Sequence, residues 1–362
     1  MLGITNMLLS KWFSPTQSKK EYFIGKKIKI VSRRLQNLRP PSCIERLPKD
    51  LEKYYKSLKA TELQAWLLFY GIPCLMGILP DTYLSHFSCL SEAIYILLGD
   101  NIIPEKLERA KSLLDLFYSS FTDLYGPGSC GLNVHNTCAH LVHFGKQWGP
   151  LCCWSCFGFE DNNSMLLQAV HGTGNVTKQI MLYKQVEATL RRKSVKTDGS
   201  RNWKITYKAK NCGVCGKMVP FDADFNPFLL HKLEVDDKNC LRKVERISLN
   251  GKQFCSSLYR RMKKRICNYV LYDDKRIGCI KYFVMVVTSN VVYAVVERFE
   301  VKEGSPISEL SGGKHLLPIK ECGDEDVTLA NSLVDTLVYL KTCPEVGEFV
   351  VYMDILSLSE YW

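Results

Sequence analysis

The sequence predicts an α+β chain in which a helical region is followed by a small antiparallel β-barrel. Three observations carry this expectation. From about residue 60 to 195 the apolar residues recur at three- and four-residue steps, the period of a helix with one buried face. From residue 203 onward the apolar segments turn short, alternating and rich in β-branched and aromatic residues. The length of 362 residues exceeds what one hydrophobic core organises, so two domains are expected.

Residues 1–59 read as a basic segment, with 14 Lys and Arg against 4 Asp and Glu. Residues 60–195 read as the helical domain. Thr61 and Glu62 open a helix whose Leu63, Trp66, Leu67 and Tyr70 share a face. The uncharged run between Glu62 and Asp81 approaches a membrane span in length, but Gln64, Gly71, Pro73 and Pro80 interrupt it, and two buried helices joined at "GIP" explain it better. No contact with a membrane is expected. Asp81 starts another helix reaching about Leu98. The stretch from Pro104 has proline at a first-turn position, acidic residues early, an apolar stripe from Leu107 to Leu124, and Gly126 as its stop. Further helices are expected at 132–145, 161–171 and 176–193. Residues 196–210 read as a linker and first strand, and 211–362 as a β-rich, barrel-like domain. "VMVVTSNVVYAVV" predicts a hairpin turning at Thr288 to Asn290, and "YDDKRIG" another turn.

Charge is unevenly spread. Residues 1–59 carry a net +10, 60–180 a net −5, 181–282 a net +14 and 283–362 a net −8. Two basic blocks around an acidic one suit a polyanion held along two surfaces, although solvated basic faces would give the same count. Sixteen cysteines scattered along a long chain, with no basic n-region or cleavage site at its start, read as free thiols in a reducing, intracellular compartment.

Several clusters could carry chemistry. His135, His140 and His143 fall on one helix with Cys138, but spacings of five and eight are not the i, i+4 pair of a helical zinc site. Cys153 and Cys156, next to Trp154 and Phe157, read as core filler. "NCGVCGK" is the better zinc candidate: Cys212 and Cys215 form a knuckle, with His231, Cys240 or Cys255 to complete the ligands and free thiols at a hairpin as the alternative. "YRRMKKRICNYVLYDDKR" concentrates Arg260, Arg261, Lys263, Lys264 and Arg265 beside Tyr259 and Tyr269. Such cations meet phosphates and release counterions, and the tyrosines could stack on unpaired bases. A nuclear localisation signal or a solvated turn would look the same. Arg191, Arg192 and Lys193 form a second, shorter basic run.

The words "GLNVHNTCAHLVHFGKQWGPLCCWSCFGFEDNN" and "HGTGNVTKQI", together with "LRPPSCIERLPKDLEKYYKSLKATELQAWLLFYGIPCLMGILPDTYLSHF" upstream, resemble the C-terminal part of transposases of the CACTA (En/Spm-like) class found in animal genomes. The resemblance covers roughly residues 1–190. It implies an RNase H-like nuclease that cuts and joins DNA with acidic side chains on two Mg²⁺ ions, because paired hard cations activate the attacking oxygen and stabilise the leaving one. In that scheme Glu160 is the third acidic ligand and Asp161 its alternate. The two aspartates and a D-x-M-H element of the family would precede "LGITNMLLSKWF" and so lie ahead of Met1. One carboxylate cannot hold two ions. The expectation is therefore a nuclear, DNA-binding remnant that does not cleave alone, unless a partner chain supplies the missing aspartates. Of a different class is a protein-interaction module, in which the C-terminal barrel resembles the SH3 or BAH type and binds a chromatin protein. No G-x-S-x-G, P-loop or dinucleotide fingerprint supports an unrelated enzyme.

Overall fold

The structure, a computed structural model, describes residues 1–44, 46–194, 204–221, 228–259, 264–273, 275–342 and 347–352; within these, the side chains of residues 154, 157–162, 191, 193, 194 and 228 are outside the description. Helix α1 (Leu2–Phe13) buries Ile4, Leu8, Leu9 and Trp12 on one face. The Trp12 ring meets Phe87 edge-on at 5.2 Å. Helix α2 (Ile28–Asn37) turns Val31 and Leu35 inward and leaves Lys29 and Arg33 in water. The basic first 59 residues thus keep their cations outside while their apolar residues join the same buried cluster as the helices after residue 60.

The long uncharged run folds as one buried rod, α3, made of Ala60–Ala65, a π-helical turn Trp66–Tyr70 and Gly71–Leu75. Sequence reasoning expected two helices meeting at "GIP". The π-turn lets the rod continue through Pro73, which has no N–H and would clash with the preceding turn of a regular helix. Gly71 is needed here, since a Cβ would lie 2.6 Å from the Phe87 ring. No helix among the described residues is long and apolar enough to cross a membrane.

Helices α4 (Asp81–Leu98) and α5 (Pro104–Tyr125) pack side by side. Pro104 starts α5 and Gly126, at φ +91°, ends it as the sequence indicates. Between them His86 stacks on Phe117 at 4.1 Å, and its Nε2 lies 2.9 Å from the Phe117 carbonyl. The next helical stretch, α6, runs through Leu132–His135, a π-turn Asn136–His140 and Leu141–Trp148; α7 (Phe157–Gln168) and α8 (Val176–Ser194) follow.

The second half is a sheet assembly. Strands β1 (Tyr207–Lys208) and β2 (Gly213–Val214) join β5 (Arg246–Leu249) and β6 (Lys252–Cys255) in a four-stranded sheet of order β1-β2-β5-β6. A larger antiparallel sheet has the path β11-β7-β8-β9-β10-β13-β12, made of β7 (Tyr269–Tyr272), β8 (Arg276–Val286), β9 (Val291–Val301), β10 (Leu317–Leu329), β11 (Leu333–Thr336), β12 (Val338–Lys341) and β13 (Glu348–Val351). Strand β4 (Leu241–Val244) adds to β8 and carries β3 (Met218–Pro220) on its other edge. The sheet curls as a half-barrel, bent by register shifts between Ile280 and Tyr282 in β8 and between Glu321 and Glu325 in β10.

The predicted hairpin at Thr288 to Asn290 joins β8 to β9, and the "YDDKRIG" turn joins β7 to β8. The expected short-stranded barrel differs in form: β8 and β9 have 11 residues and β10 has 13, in an open path of strands. Strand β8 is mostly buried because both its faces are covered. The small sheet packs Ile247 and Phe254 against Phe283 and Met285. On another cluster, Leu229 and Leu233 of α9 (Phe228–Leu233) meet Val284 and Val286.

Candidate functional site

Glu160 and Asp161 sit early in α7, at its fourth and fifth residues, after the turn at Gly149 (φ +79°) and Pro150 and a short 3₁₀ segment that buries Leu151. The backbone setting is that of the sequence reading, a helix start behind an apolar segment, where the macrodipole favours a carboxylate. Their side chains lie outside the described residues. Among the described residues no three His, Cys, Asp or Glu side chains converge to hold a metal ion.

One expectation about this stretch is overturned. Cys153 and Cys156 are exposed rather than core filler. A 3₁₀ turn and the first residue before α7 carry them, so neither faces the helical cluster. Cys152 is half-buried, and burial first, then the neighbouring Cys153, pushes its thiol up to about 11.

The π-turn in α6 changes the histidine geometry. In a regular helix residues five apart diverge, but one i→i+5 turn brings them onto one side. His135 and His140 accordingly meet edge to face, with ring centres 5.2 Å apart. Two imidazoles on one tetrahedral ion, each nitrogen about 2.05 Å from it and about 1.15 Å from its ring centre, would have centres about 5.2 Å apart. Both rings are exposed, and the Tyr118 hydroxyl lies 3.3 Å from Nδ1 of His135, where a partner fixes which ring nitrogen remains for a ligand. The signal was present in the five-residue spacing, but only the π-turn makes it useful. His143 instead lies beside Phe144.

Arg260, Arg261 and Lys263 lie outside the described residues, and so do the side chains of Arg191 and Lys193. Arg192, at the end of α8, and Lys264 are exposed. Arg265 is partly committed: its Nη1 donates to the carbonyls of Pro41, at 2.8 Å, and Ile44. Beside it the Ser42 N–H donates to Cys267 Sγ at 3.3 Å. This pins the start of β7 to the N-terminal segment. Further exposed cations are Lys19, Lys20, Lys26 and Lys27 in the connection between α1 and α2, and Arg33 on α2.

Cys212 and Cys215 are buried on the β1–β2 hairpin, and Cys255 is buried at the end of β6. Burial pushes Cys212 and Cys255 each up to about 12 and raises Cys215 as well, so the thiols are protonated at neutral pH. Cys240 ends a 3₁₀ turn ahead of β4, and its carbonyl accepts from Val287 beyond β8. His231 is exposed on α9.

Sequence reasoning missed the joint between the two halves. Ser85, Ser88 and Glu92 form a stripe on α4 that grips residues 311–315. The Ser311 N–H donates to Ser85 Oγ at 2.9 Å, Gly312 N–H to Ser88 Oγ at 3.0 Å and Lys314 N–H to Glu92 Oε2 at 2.9 Å. Arg109 Nε completes the group at 2.9 Å from Glu92 Oε1. His315 is buried, stacks on Tyr95 at 4.7 Å and has Nε2 2.9 Å from the Leu68 carbonyl. Burial lowers it to about 4, so it is neutral. Val338, Leu340, Phe349 and Val351 enter the helical cluster beside it. A half-open cleft of about 590 Å³ lies at this joint, lined by Arg34, Asp81, Ser85 and Glu309.

Helices α7 and α8 leave Leu167, Met181, Leu182, Val186 and Leu190 exposed. No protein-family model matches the chain, and no curated protein matches it.

Proposed function

We propose that residues 1–362 are the C-terminal part of a transposase-derived, nuclear protein that holds DNA without cutting it. In this reading the helical region belongs to an RNase H-like core, and Glu160 stands in the place of its third acidic ligand. The observation that carries the reading is the setting of Glu160, early in a helix that is followed in the chain by α8, which presents exposed Met181, Leu182, Val186 and Leu190. A surface of that kind belongs against another apolar surface, and the remainder of a nuclease core would provide it. One carboxylate is too little for two Mg²⁺ ions, so cleavage requires aspartates from elsewhere, including a partner chain. DNA is held by phosphate contacts from Arg192, Lys264, the run Arg260, Arg261 and Lys263, and the exposed cations between α1 and α2 and on α2. His135 and His140 are the better place for a transition metal such as zinc, and the buried Cys212–Cys215 knuckle is the lesser one.

Fluorescence anisotropy of a short labelled duplex, titrated with salt, tests the reading. Affinity should fall roughly 10³-fold or more between about 50 and 200 mM salt if six or more phosphates are contacted. Binding that ignores salt would sink it.

A second reading concerns the β half, which resembles the SH3 or BAH type. It is favoured by the acidic edge of β10, where Glu321 and Asp324 are exposed beside Glu325, which Lys281 pairs. That surface repels DNA and suits a basic protein segment.

A further inference from the structure

Beside this acidic edge the structure holds two aromatic rings set as the corner of a box. Phe221 and Tyr282 stand 5.9 Å apart at 72°. The ammonium of Lys243 points into the corner, 4.9 Å from the Tyr282 ring centre and 5.8 Å from that of Phe221. Both distances fall within the range of about 6 Å in which a cation is attracted by a ring face. Among the described residues Lys243 makes no ion pair. The corner is anchored on one side: Lys243 lies on β4 opposite Val284 of β8, and both rings pack against the buried cluster of Leu229, Leu233, Leu241 and Val284. Tyr282 follows the β8 register shift. Glu325 is close enough to act on its phenol, which burial first and that carboxylate second raise above the usual value.

We propose that the Phe221–Tyr282 corner binds a methylated lysine on a basic peptide, and that Lys243 is an internal plug occupying the place of that ligand. The proposal rests on the reading of the β half as a binder of basic segments and names the chemistry it selects. A methylated ammonium is larger and less hydrated than that of Lys243, so it leaves water at lower cost and fills more of the corner. The plug has the advantage of its tether, which gives it a high effective concentration. Glu321 and Asp324, exposed on β10, complement the cationic residues that flank the methylated one.

The test uses the full chain and a capped basic peptide in three forms: central trimethyl-lysine, central unmodified lysine, and the neutral tert-butyl isostere of trimethyl-lysine. Calorimetric titration of Lys243→Ala should show the trimethylated peptide bound at least tenfold more tightly than by the unsubstituted protein, and preferred at least fivefold over both other peptides. Phe221→Leu, which keeps the apolar volume but removes the ring, should abolish the preference with an unchanged melting temperature. Equal binding of all three peptides by Lys243→Ala would overturn the methyl-lysine site and leave the basic-partner reading standing. Binding of none would overturn both. A preference that survives in Phe221→Leu would also overturn the site.

Discussion

Replacing Gly312 by alanine should loosen the joint between the helical and β halves, and the cost can be worked from the contacts. The new Cβ would fall 2.4 Å from the carbonyl oxygen of Ser88, 2.6 Å from its carbonyl carbon and 2.8 Å from the nitrogen of Cys89. These are backbone atoms inside α4 and cannot yield, so the loop must withdraw by about 1 Å to reach ordinary van der Waals separation. That withdrawal stretches the bonds from the N–H groups of Ser311, Gly312 and Lys314 to Ser85, Ser88 and Glu92. Two neutral bonds at about 1 kcal/mol each and one to a carboxylate at about 1.5–2 kcal/mol make a loss of about 4 kcal/mol. The smaller unfolded-state freedom of alanine returns about 0.4–1 kcal/mol. The net expectation is about 3 kcal/mol, read as a shift of the urea unfolding midpoint. Gly128→Ala is the control, since nothing lies within 4 Å of its Cβ position. If Gly312→Ala and Gly128→Ala unfold together, within about 0.5 kcal/mol, the joint does not hold the halves as described.

The remaining expectations are these. His86 and His315 are each lowered to about 4 by burial, so they bind protons in the unfolded chain from about pH 6.5 downward and in the folded chain only near pH 4. Their contribution is complete above pH 6.5 and is lost as pH falls toward 4, at about 1.4 kcal/mol per unit for each. Urea midpoints at pH 7, 6 and 5 should fall accordingly, and a flat profile would contradict the buried, neutral assignment. Zinc should raise the melting temperature of the unsubstituted chain but not of His140→Ala; equal shifts would remove the two-histidine site. Phe121→Ala should cost about 3–5 kcal/mol, because the ring is wholly buried against His86 and Tyr125; a midpoint shift under 1 kcal/mol would show that the core collapses around the gap. Supplied with Mg²⁺, the chain should leave duplex DNA uncut, and cleavage that disappears in Glu160→Gln would refute the non-cutting reading.

Much of the helical half was legible because its signals are local. Pro104 and Gly126 bound a helix whose stripe from Leu107 to Leu124 faces the core, and nothing distant alters that outcome. The hairpins were legible for the same reason. Strand β10 was not, since "LPIKECGDEDVTL" is acidic and poor in β-formers. It is a strand because β9 and β13 pair with it and because Lys281 and Arg276, reaching across from β8, neutralise Glu325 and Asp326. The joint was illegible because the serines of α4 look like solvent-facing residues until a loop more than two hundred residues later presents its N–H groups to them. Of the candidate sites, the setting of Glu160 was legible and the histidine pair was not, since a π-turn has no reliable sequence signature. Arg265 looked like one cation of a run, yet part of its guanidinium ties the halves together.

The central proposal is that this chain grips DNA through phosphates. It is tested most directly by comparing the salt dependence of duplex binding for the unsubstituted protein and for the variant with Arg260, Arg261, Lys263 and Lys264 all changed to alanine. Each lost phosphate contact should flatten the logarithmic slope by about 0.9, so the variant should bind more weakly with a slope shallower by up to about 3.6. Two parallel lines of equal affinity would contradict it.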